Sequence, residues 1–247
     1  MNERELRAYV AEAKYECIRM MRVPGFVGPF LVLPAGLYLL FAVLLFGAEI
    51  AKDPKAGVFT FMGFATFGVM GPGMFGFGAT IAQEREQGLM RLKRAMPCPA
   101  AAPLLAKMFM SLLFVTLIMI TMAAVAPAGH VRLSVGQLAS LSAVNILGSL
   151  PFCALGFIIG TLASGKGAVA LVNVLYLPMV YLSAILFPLP KSIHWIALLS
   201  PAYHLEQTAY RAIGAPSEGM LAIHLVVLIA VTLVCTTVAV RRLARVG

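Results

Sequence analysis

Residues 57–81, GVFTFMGFATFGVMGPGMFGFGATI, form an apolar run that contains no Asp, Glu, Lys or Arg. A helix needs about 20 apolar residues to cross the hydrocarbon core of a bilayer, so this run is long enough to span a membrane. Comparable uncharged runs occupy residues 25–47, 108–129, 137–163, 167–190 and 220–240. With 61% hydrophobic and 12% charged residues, the composition is unlike that of a soluble domain. The sequence therefore predicts one all-α integral membrane domain over residues 1–247, with six transmembrane helices.

The distribution of Lys and Arg predicts the orientation, because these residues collect on the cytoplasmic side of membrane proteins. If the N-terminus is inside, 14 of the 19 Lys and Arg residues fall in inner segments. The remaining 5 are Lys52, Lys55, Arg132, Lys191 and Arg211. We therefore expect both termini in the cytosol and the chain in the cytoplasmic (inner) membrane of a bacterium. The net charge of +9 then reflects topology and contact with anionic membrane lipid, and no nucleic-acid partner is expected.

The segment before the first span, residues 1–23, has the pattern of an amphipathic helix. Leu6, Tyr9, Val10, Ala13 and Cys17 recur at helical spacing, with charged residues on the other faces. This pattern is typical of a helix that lies at the membrane surface. A plain solvated helix is the alternative interpretation.

Between spans five and six lies the only sizeable segment predicted outside, residues 188–219. SIHWIALL and PAYHLEQTAYRAI, divided at Ser200 and Pro201, indicate two short helices that are too short and too polar to cross the bilayer. We expect them to dip into the outer leaflet as re-entrant helices. Aromatic anchoring at the headgroups is the simpler interpretation of this segment, and an extracytoplasmic gate is the alternative. The gate candidates are Pro188, Pro201, Tyr203, His204, Glu206 and Arg211.

The absence of charge from the six runs bears on the energy source. Carriers driven by protons or sodium usually keep an ionisable group inside the membrane, and these runs offer only His224. Backbone carbonyls can also hold sodium, so an ion-coupled carrier or channel stays an alternative. Thr116, Asn145 and Asn173 are candidates for lining a polar path, but hydrogen bonding between helices is the favoured interpretation.

Catalytic motifs are incomplete or missing. Residues 160–167, GTLASGKG, nearly match a phosphate-binding loop, but Gly167 replaces the hydroxyl residue that binds magnesium. The segment also ends an apolar helix instead of joining a strand to a helix. No cysteine spacing indicates a metal site. We therefore expect no catalytic residue, metal or cofactor on this chain, and a membrane-embedded lipid-modifying enzyme is a second alternative.

If the chain transports a substrate without an ion gradient, its energy must come from a partner in the cytosol. Residues 83–97, QEREQGLMRLKRAMP, are the only internal cytosolic loop with the size, charge and helix-forming content to bind one. The segment is predicted to form a short amphipathic helix that stops at Pro97.

This segment resembles the E-R-x-x-G pattern of the permease subunits of type-2 ATP-binding-cassette (ABC) exporters. Glu84, Arg85, Glu86 and Gly88 carry the pattern, and Lys107 follows it. Residues 176–213 resemble the family's fifth span and the short helices after it.

The resemblance implies that two such permease subunits, alike or different, surround a path for an amphiphilic drug, antibiotic or lipid-like molecule. Each would rest on a separate ABC ATPase subunit that holds ATP and magnesium, and alternating access would export the substrate. Residues 83–97 would be the coupling helix. Its predicted contacts with the ATPase are Gln83, Glu84, Arg85, Glu86, Gly88 and Arg91.

Overall fold

The computed structural model describes residues 3–95, 99, 101–183, 186, 189–190 and 192–246, and all regular structure among them is helical. Within these ranges, six helical stretches are long and apolar enough to cross a membrane, which confirms the predicted fold class. They are Pro24–Leu45, Lys55–Glu86, Ala102–Gly129, Val135–Leu162, Gly165–Leu182 and Leu221–Arg245.

The N-terminal segment forms helix α1 over Glu3–Met21, and its apolar face packs on a later span. Cys17 and Met20 are buried against Met110 and Phe114. The first span then begins at once as α2, Pro24–Leu39, because proline fits the first turn of a helix, where its missing N–H is not needed. It continues as a π-helix over Leu40–Leu45 and is followed by the short α3, Gly47–Lys52.

The second span changes from α-helix to π-helix and back around its glycine- and proline-rich stretch, residues 68–78. It consists of α4, Pro54–Gly71, a π-helix over Pro72–Ala79, and α5, Thr80–Glu86. Pro72 supplies no backbone N–H, and a wider helical turn accommodates the loss of a regular hydrogen bond.

The chain after the second span departs from the prediction of one helix over residues 83–97. α5 ends at Glu86, Gly88 has a positive φ of 71°, and a separate α6 runs over Leu89–Ala95. Glycine adopts this left-handed conformation readily, and it stops the helix. Gln83–Glu86 therefore extend the second span, and residues 96–98 lie outside the described part of the chain.

The third and fourth spans follow. The third is α7, Ala102–Val125, with a 3-10 turn over Ala126–Gly129. The fourth, predicted as one run, is two helices, α8 over Val135–Gly148 and α9 over Leu150–Leu162. Pro151 near the start of α9 cannot donate a backbone hydrogen bond, and this accounts for the break.

The fifth span is α10, Gly165–Leu182, and the sixth is α12, Leu221–Val246. Between them, a 3-10 helix over His194–Leu199 and α11 over Pro201–Ala212 meet at Ser200, as the sequence predicts. α11 is buried throughout its first ten residues, Pro201 to Tyr210, against α4, α8 and α12. The position of these helices, and of α1, relative to the bilayer stays a prediction.

The largest apolar core joins the spans with α11. It includes Tyr38, Phe61, Ile118 and Leu205, all fully buried. The second span and α9 approach most closely through glycine: a Cβ on Gly78 would lie 2.8 Å from the carbonyl oxygen of Gly156. Gly156 therefore allows two helices of the same subunit to pack closely.

Gly156→Ala is expected to destabilise the protein. The new Cβ would lie 3.1 Å from the Gly78 nitrogen and against the Gly73 carbonyl oxygen. Because these are backbone atoms, two helices must separate, at a cost of about 1–3 kcal/mol. Thermal unfolding in detergent should show a lower midpoint. Gly136→Ala in the same span is the control, since its nearest atom would be 4.0 Å away, and an equal loss in both variants would contradict the packing argument.

Candidate functional site

Three consecutive residues at the end of α5 hold three different parts of the chain. The first, Glu84, is 2% exposed, and its Oε1 accepts a hydrogen bond from Lys107 Nζ at 2.8 Å. Lys107 lies near the start of α7 and is fully buried. A buried ion pair thus joins the second span to the third.

Two residues of α1 complete the arrangement. Lys107 Nζ also donates to Glu16 at 2.6 Å, and the Arg19 guanidinium lies 2.7 Å from Glu16 and 2.8 Å from Glu84. Glu16, Arg19, Glu84 and Lys107, here called the ion cluster, balance two positive and two negative charges. Burial alone would raise the pKa of Glu16, but Lys107 and Arg19 stabilise its anion, so this pKa is lowered. The carboxylate therefore stays charged at neutral pH.

Helix α6 is attached to the same cluster through Lys93. Its Nζ lies 2.8 Å from Glu12 of α1 and 3.7 Å from Oε2 of Glu84. Burial works against the charge on Lys93, but Glu12 and Glu84 outweigh it and raise the pKa. α1, the end of the second span, α6 and the start of α7 therefore form one electrostatically connected unit.

Arg85 and Glu86 hold the turn between the fourth and fifth spans. Arg85 donates to the carbonyl oxygens of Thr161 and Ala163, at 2.5 and 2.7 Å. Glu86 accepts from the backbone N–H of Gly165 at 2.8 Å. A helix leaves carbonyls unpaired at its C-terminus and N–H groups at its N-terminus, so the cation caps the end of α9 and the anion caps the start of α10.

The predicted contact residues thus fall into two groups. Glu84 and Arg85 are turned toward the protein, whereas Gln83 and Glu86 are exposed, although Glu86 also binds the start of α10. Gly88 makes the turn, and Arg91 lies within α6. Leu92 of α6 is an exposed apolar side chain, with 61% of its surface accessible.

A cavity of about 610 Å³ adjoins the ion cluster, between α2, the second span and α10. Its walls include Phe26, Phe30, Phe67, Phe75 and Tyr176. Arg19, Thr80, Gln83 and Asn173 add polar groups. The cavity is therefore largely aromatic, with polar side chains where it approaches α5.

The three path candidates lie in different surroundings. Asn173 lines this cavity, whereas Asn145 and Thr116 do not. Each of the three donates a hydrogen bond to a carbonyl four residues earlier in its own helix. The prediction that these donors bond between helices is therefore wrong, because the nearest acceptor is local.

The gate candidates among the described residues all lie in α11. Tyr203 donates to Glu218 at 2.9 Å, and Arg211 donates to the Ser217 hydroxyl at 2.7 Å, so both hold the following loop. Glu206 is 1% exposed, and burial raises its pKa well above the ordinary value. Pro201 is buried at the start of α11, His204 bonds to a later helix, and Pro188 lies outside the described residues.

Sequence reasoning missed the partners of Glu84. The apolar runs of the sequence contain no charged residue, but the helical spans extend beyond them. Glu84 lies inside the span Lys55–Glu86, and Lys107 lies inside the span Ala102–Gly129. Glu16 and Arg19 were placed only on the polar faces of α1. The helical period identifies a polar face, but it does not identify its partner 91 residues away.

Comparison with known proteins supports the same assignment as the E-R-x-x-G segment. Residues 7–213 match the family model described as ABC-2 type transporter. The chain is also 27% identical over 214 residues to "Putative transport permease YvfS" of Bacillus subtilis (strain 168), a match that covers 84% of this chain and 85% of that protein. With its six apolar helices, the chain is a multi-pass membrane protein, and it belongs to the ABC-2 type transporter family.

Proposed function

We propose that this chain is the membrane-spanning subunit of an ABC exporter, driven by separate ATPase subunits, that moves an amphiphilic drug, antibiotic or lipid-like molecule out across a bacterial cytoplasmic membrane. The observation that carries the proposal is the unit built around the ion cluster. Helix α6 is presented at the surface, and Lys93 connects it to Glu12 of α1 and, through Glu84 and Lys107, to α7. A bundle whose only energy source is a partner needs such a rigid connection.

The proposed docking surface consists of α6 and the exposed residues just before it. Leu92 would supply an apolar contact, and Glu86 and Gln87 are exposed polar residues directly before α6. An exposed apolar side chain with a polar rim is typical of a protein interface. The complex would contain two ATPase subunits with ATP and magnesium, and a second six-span permease subunit of the same or a different kind. Both termini and α6 would face the cytosol.

A movement of α6 would reach several spans at once. The ion pair of Lys93 would transmit the movement to α1, and the pair of Glu84 with Lys107 would transmit it to α7. The hydrogen bonds of Arg85 and Glu86 would transmit it to the turn before α10. The second span and α10 also form walls of the aromatic cavity. ATP-driven displacement of α6 would therefore change the shape of that cavity, which is the step that alternating access requires.

The cavity itself favours an amphiphilic substrate. Its volume of about 610 Å³ lies within the roughly 300–1,000 Å³ range of sites for drug-sized molecules. Aromatic walls would hold an apolar body, and Asn173 and Gln83 would bind polar groups. The buried charges nearby neutralise one another, which favours a mechanical role for them over ion transport.

Leu92→Asp is expected to abolish assembly with the ATPase subunit while leaving the membrane fold intact. The exposed leucine makes few contacts within the chain, but a charge in the centre of an interface must be desolvated without a partner. Co-purification with a tagged ATPase subunit measures assembly, and thermal unfolding of the isolated permease measures folding.

Val135→Asp is the matched control for this test. Val135 is 84% exposed at the start of α8, at the opposite end of the bundle from α6. Assembly should be normal in this variant. ATP-dependent transport at the parent rate in Leu92→Asp would contradict the proposed docking surface.

Lys107→Met is expected to reduce stability by about 3–5 kcal/mol, because Glu16 and Glu84 would keep their buried charges without their shared cation. The triple variant with Glu16→Gln and Glu84→Gln removes those charges too. It should recover most of the stability, since Arg19 is partly exposed and can be hydrated. Thermal unfolding in detergent compares the three proteins.

The same triple variant tests coupling. With the ATPase bound, it should hydrolyse ATP but transport less substrate per ATP, because α6 is no longer connected to α7 through charge. Lys14→Met, an exposed lysine of α1, is the control and should change stability by less than about 0.5 kcal/mol. Parent-level transport per ATP in the triple variant would show that the ion cluster is not part of the coupling path.

A further inference from the structure

Two buried histidines face each other at the end of the bundle that carries α11. His204 of α11 and His224 of α12 are each 2% exposed, and their Nδ1 atoms are 2.8 Å apart. The other nitrogen of each ring faces a backbone carbonyl. His204 Nε2 is 2.9 Å from the Leu198 oxygen, and His224 Nε2 is 2.7 Å from the Glu218 oxygen.

Counting protons gives the charge of this arrangement. A carbonyl oxygen only accepts, so both Nε2 atoms must carry hydrogen to bond the carbonyls. The contact between the two Nδ1 atoms needs a third hydrogen. Two neutral imidazoles carry only two, because each holds a proton on one nitrogen. All three hydrogen bonds therefore exist together only when the pair has taken up one additional proton.

We propose that His204 and His224 form a binding site for a single proton, shared between their Nδ1 atoms, which fastens α11 to α12. In the neutral pair there are two possibilities. Either one ring has an unprotonated Nε2 facing its carbonyl oxygen, or the hydrogen bond between the two Nδ1 atoms is missing. One of the three bonds is then missing. If the orientation in the proposed function is correct, this proton comes from outside the cell.

The surroundings of the pair are compatible with one positive charge. The other titratable or charged groups of α11 are Tyr203, Glu206, Tyr210 and Arg211; His194 and Glu218 lie in the neighbouring segments, α4 contributes Lys55, and α8 contributes none. The Tyr203 ring lies 5.5 Å from the ring of His204 and 6.0 Å from that of His224. Glu218 accepts the Tyr203 hydroxyl and is 3.5 Å from His194 Nε2, so its carboxylate is close to the pair.

A second proton does not fit this geometry, because both Nδ1 atoms would then carry a hydrogen across a distance of 2.8 Å with no acceptor between them. Burial lowers the pKa of His204, the carbonyl of Leu198 acts in the opposite direction, and a charge on His224 lowers it further. The two rings therefore do not carry a full charge each. For the first proton, three hydrogen bonds to the charged form oppose the cost of burial. The proton-dependent contact between α11 and α12 is present at pH values below the pKa of the pair, and it is lost as the pH rises through that pKa.

The test is a titration of the isolated permease in detergent, with ¹⁵N-labelled histidine, between about pH 8 and pH 5. The chain has 4 histidines, so variants can assign the signals. The spectra should show the rings of His204 and His224 changing together, with uptake of one proton by the pair. Uptake of two protons, or of none, would overturn the proposal. A change of the His204 and His224 signals on addition of EDTA would also overturn it, because it would indicate a metal ion between the rings.

His224→Asn separates the shared proton from a merely structural contact. The Asn amide can donate to Nδ1 of His204 without an added proton, so the remaining ring should stay neutral over the same range. Amide exchange of α11, compared between parent and variant at each pH, measures the fastening. Protection in the parent should increase about tenfold or more relative to the variant as the pH falls, the factor expected for one charge-assisted hydrogen bond.

His130→Asn is the control, because His130 is exposed, lies far along the chain from the pair and has a positive φ that Asn tolerates. It should leave both readouts unchanged. A constant protection ratio between parent and His224→Asn would show that no proton fastens α11. The experiment uses the permease without an ATPase, so its failure is distinct from failure of the exporter proposal.

Discussion

The contact of Lys107 with Glu16 and Glu84 is the interaction on which the α6 end of the bundle depends. A buried ammonium is costly unless anions surround it, and here two carboxylates lie within 2.8 Å of it. Because the anions come from α1 and α5, neither helix can leave α7 without exposing a buried charge to an apolar environment. The electrostatic cost of separation makes three helices behave as one body. This is the property that a partner-driven transporter needs at its point of contact.

Close packing of the backbone extends this body into the spans. The π-helix of the second span lies so close to α9 that Gly78 and Gly156 leave no space for a side chain. Arg85 and Glu86 then bind the ends of α9 and α10 directly after that contact. Interiors packed in this way transmit a displacement and do not absorb it. The glycines within the spans and the charged residues at the end of the second span therefore both keep neighbouring helices in rigid contact.

The sequence predicts some of these features and not others, for identifiable physical reasons. Hydrophobic length predicts the spans, since a bilayer imposes a minimum on any helix that crosses it. The break of α11 from the 3-10 helix at Ser200 also follows from local rules, because Ser caps a helix and Pro begins one. The apolar run ends at Ile81 because the residues after it are polar, whereas the helical span continues to Glu86 and buries Glu84. Its burial depends on Lys107 and Glu16, and contacts between distant segments leave no local pattern.

The two ends of the bundle differ in how they respond to pH. The ion cluster is built from carboxylates, a guanidinium and an amine, and its contacts lower the pKa of Glu16 and raise that of Arg19. Glu16 and Arg19 therefore keep their charges across the physiological range. At the α11 end, the proton proposed to be shared by His204 and His224 would make the contact between α11 and α12 depend on pH. The fixed charges of Glu16 and Arg19 thus lie at the end proposed to bind the partner, and the titratable pair lies where α11 meets the last span.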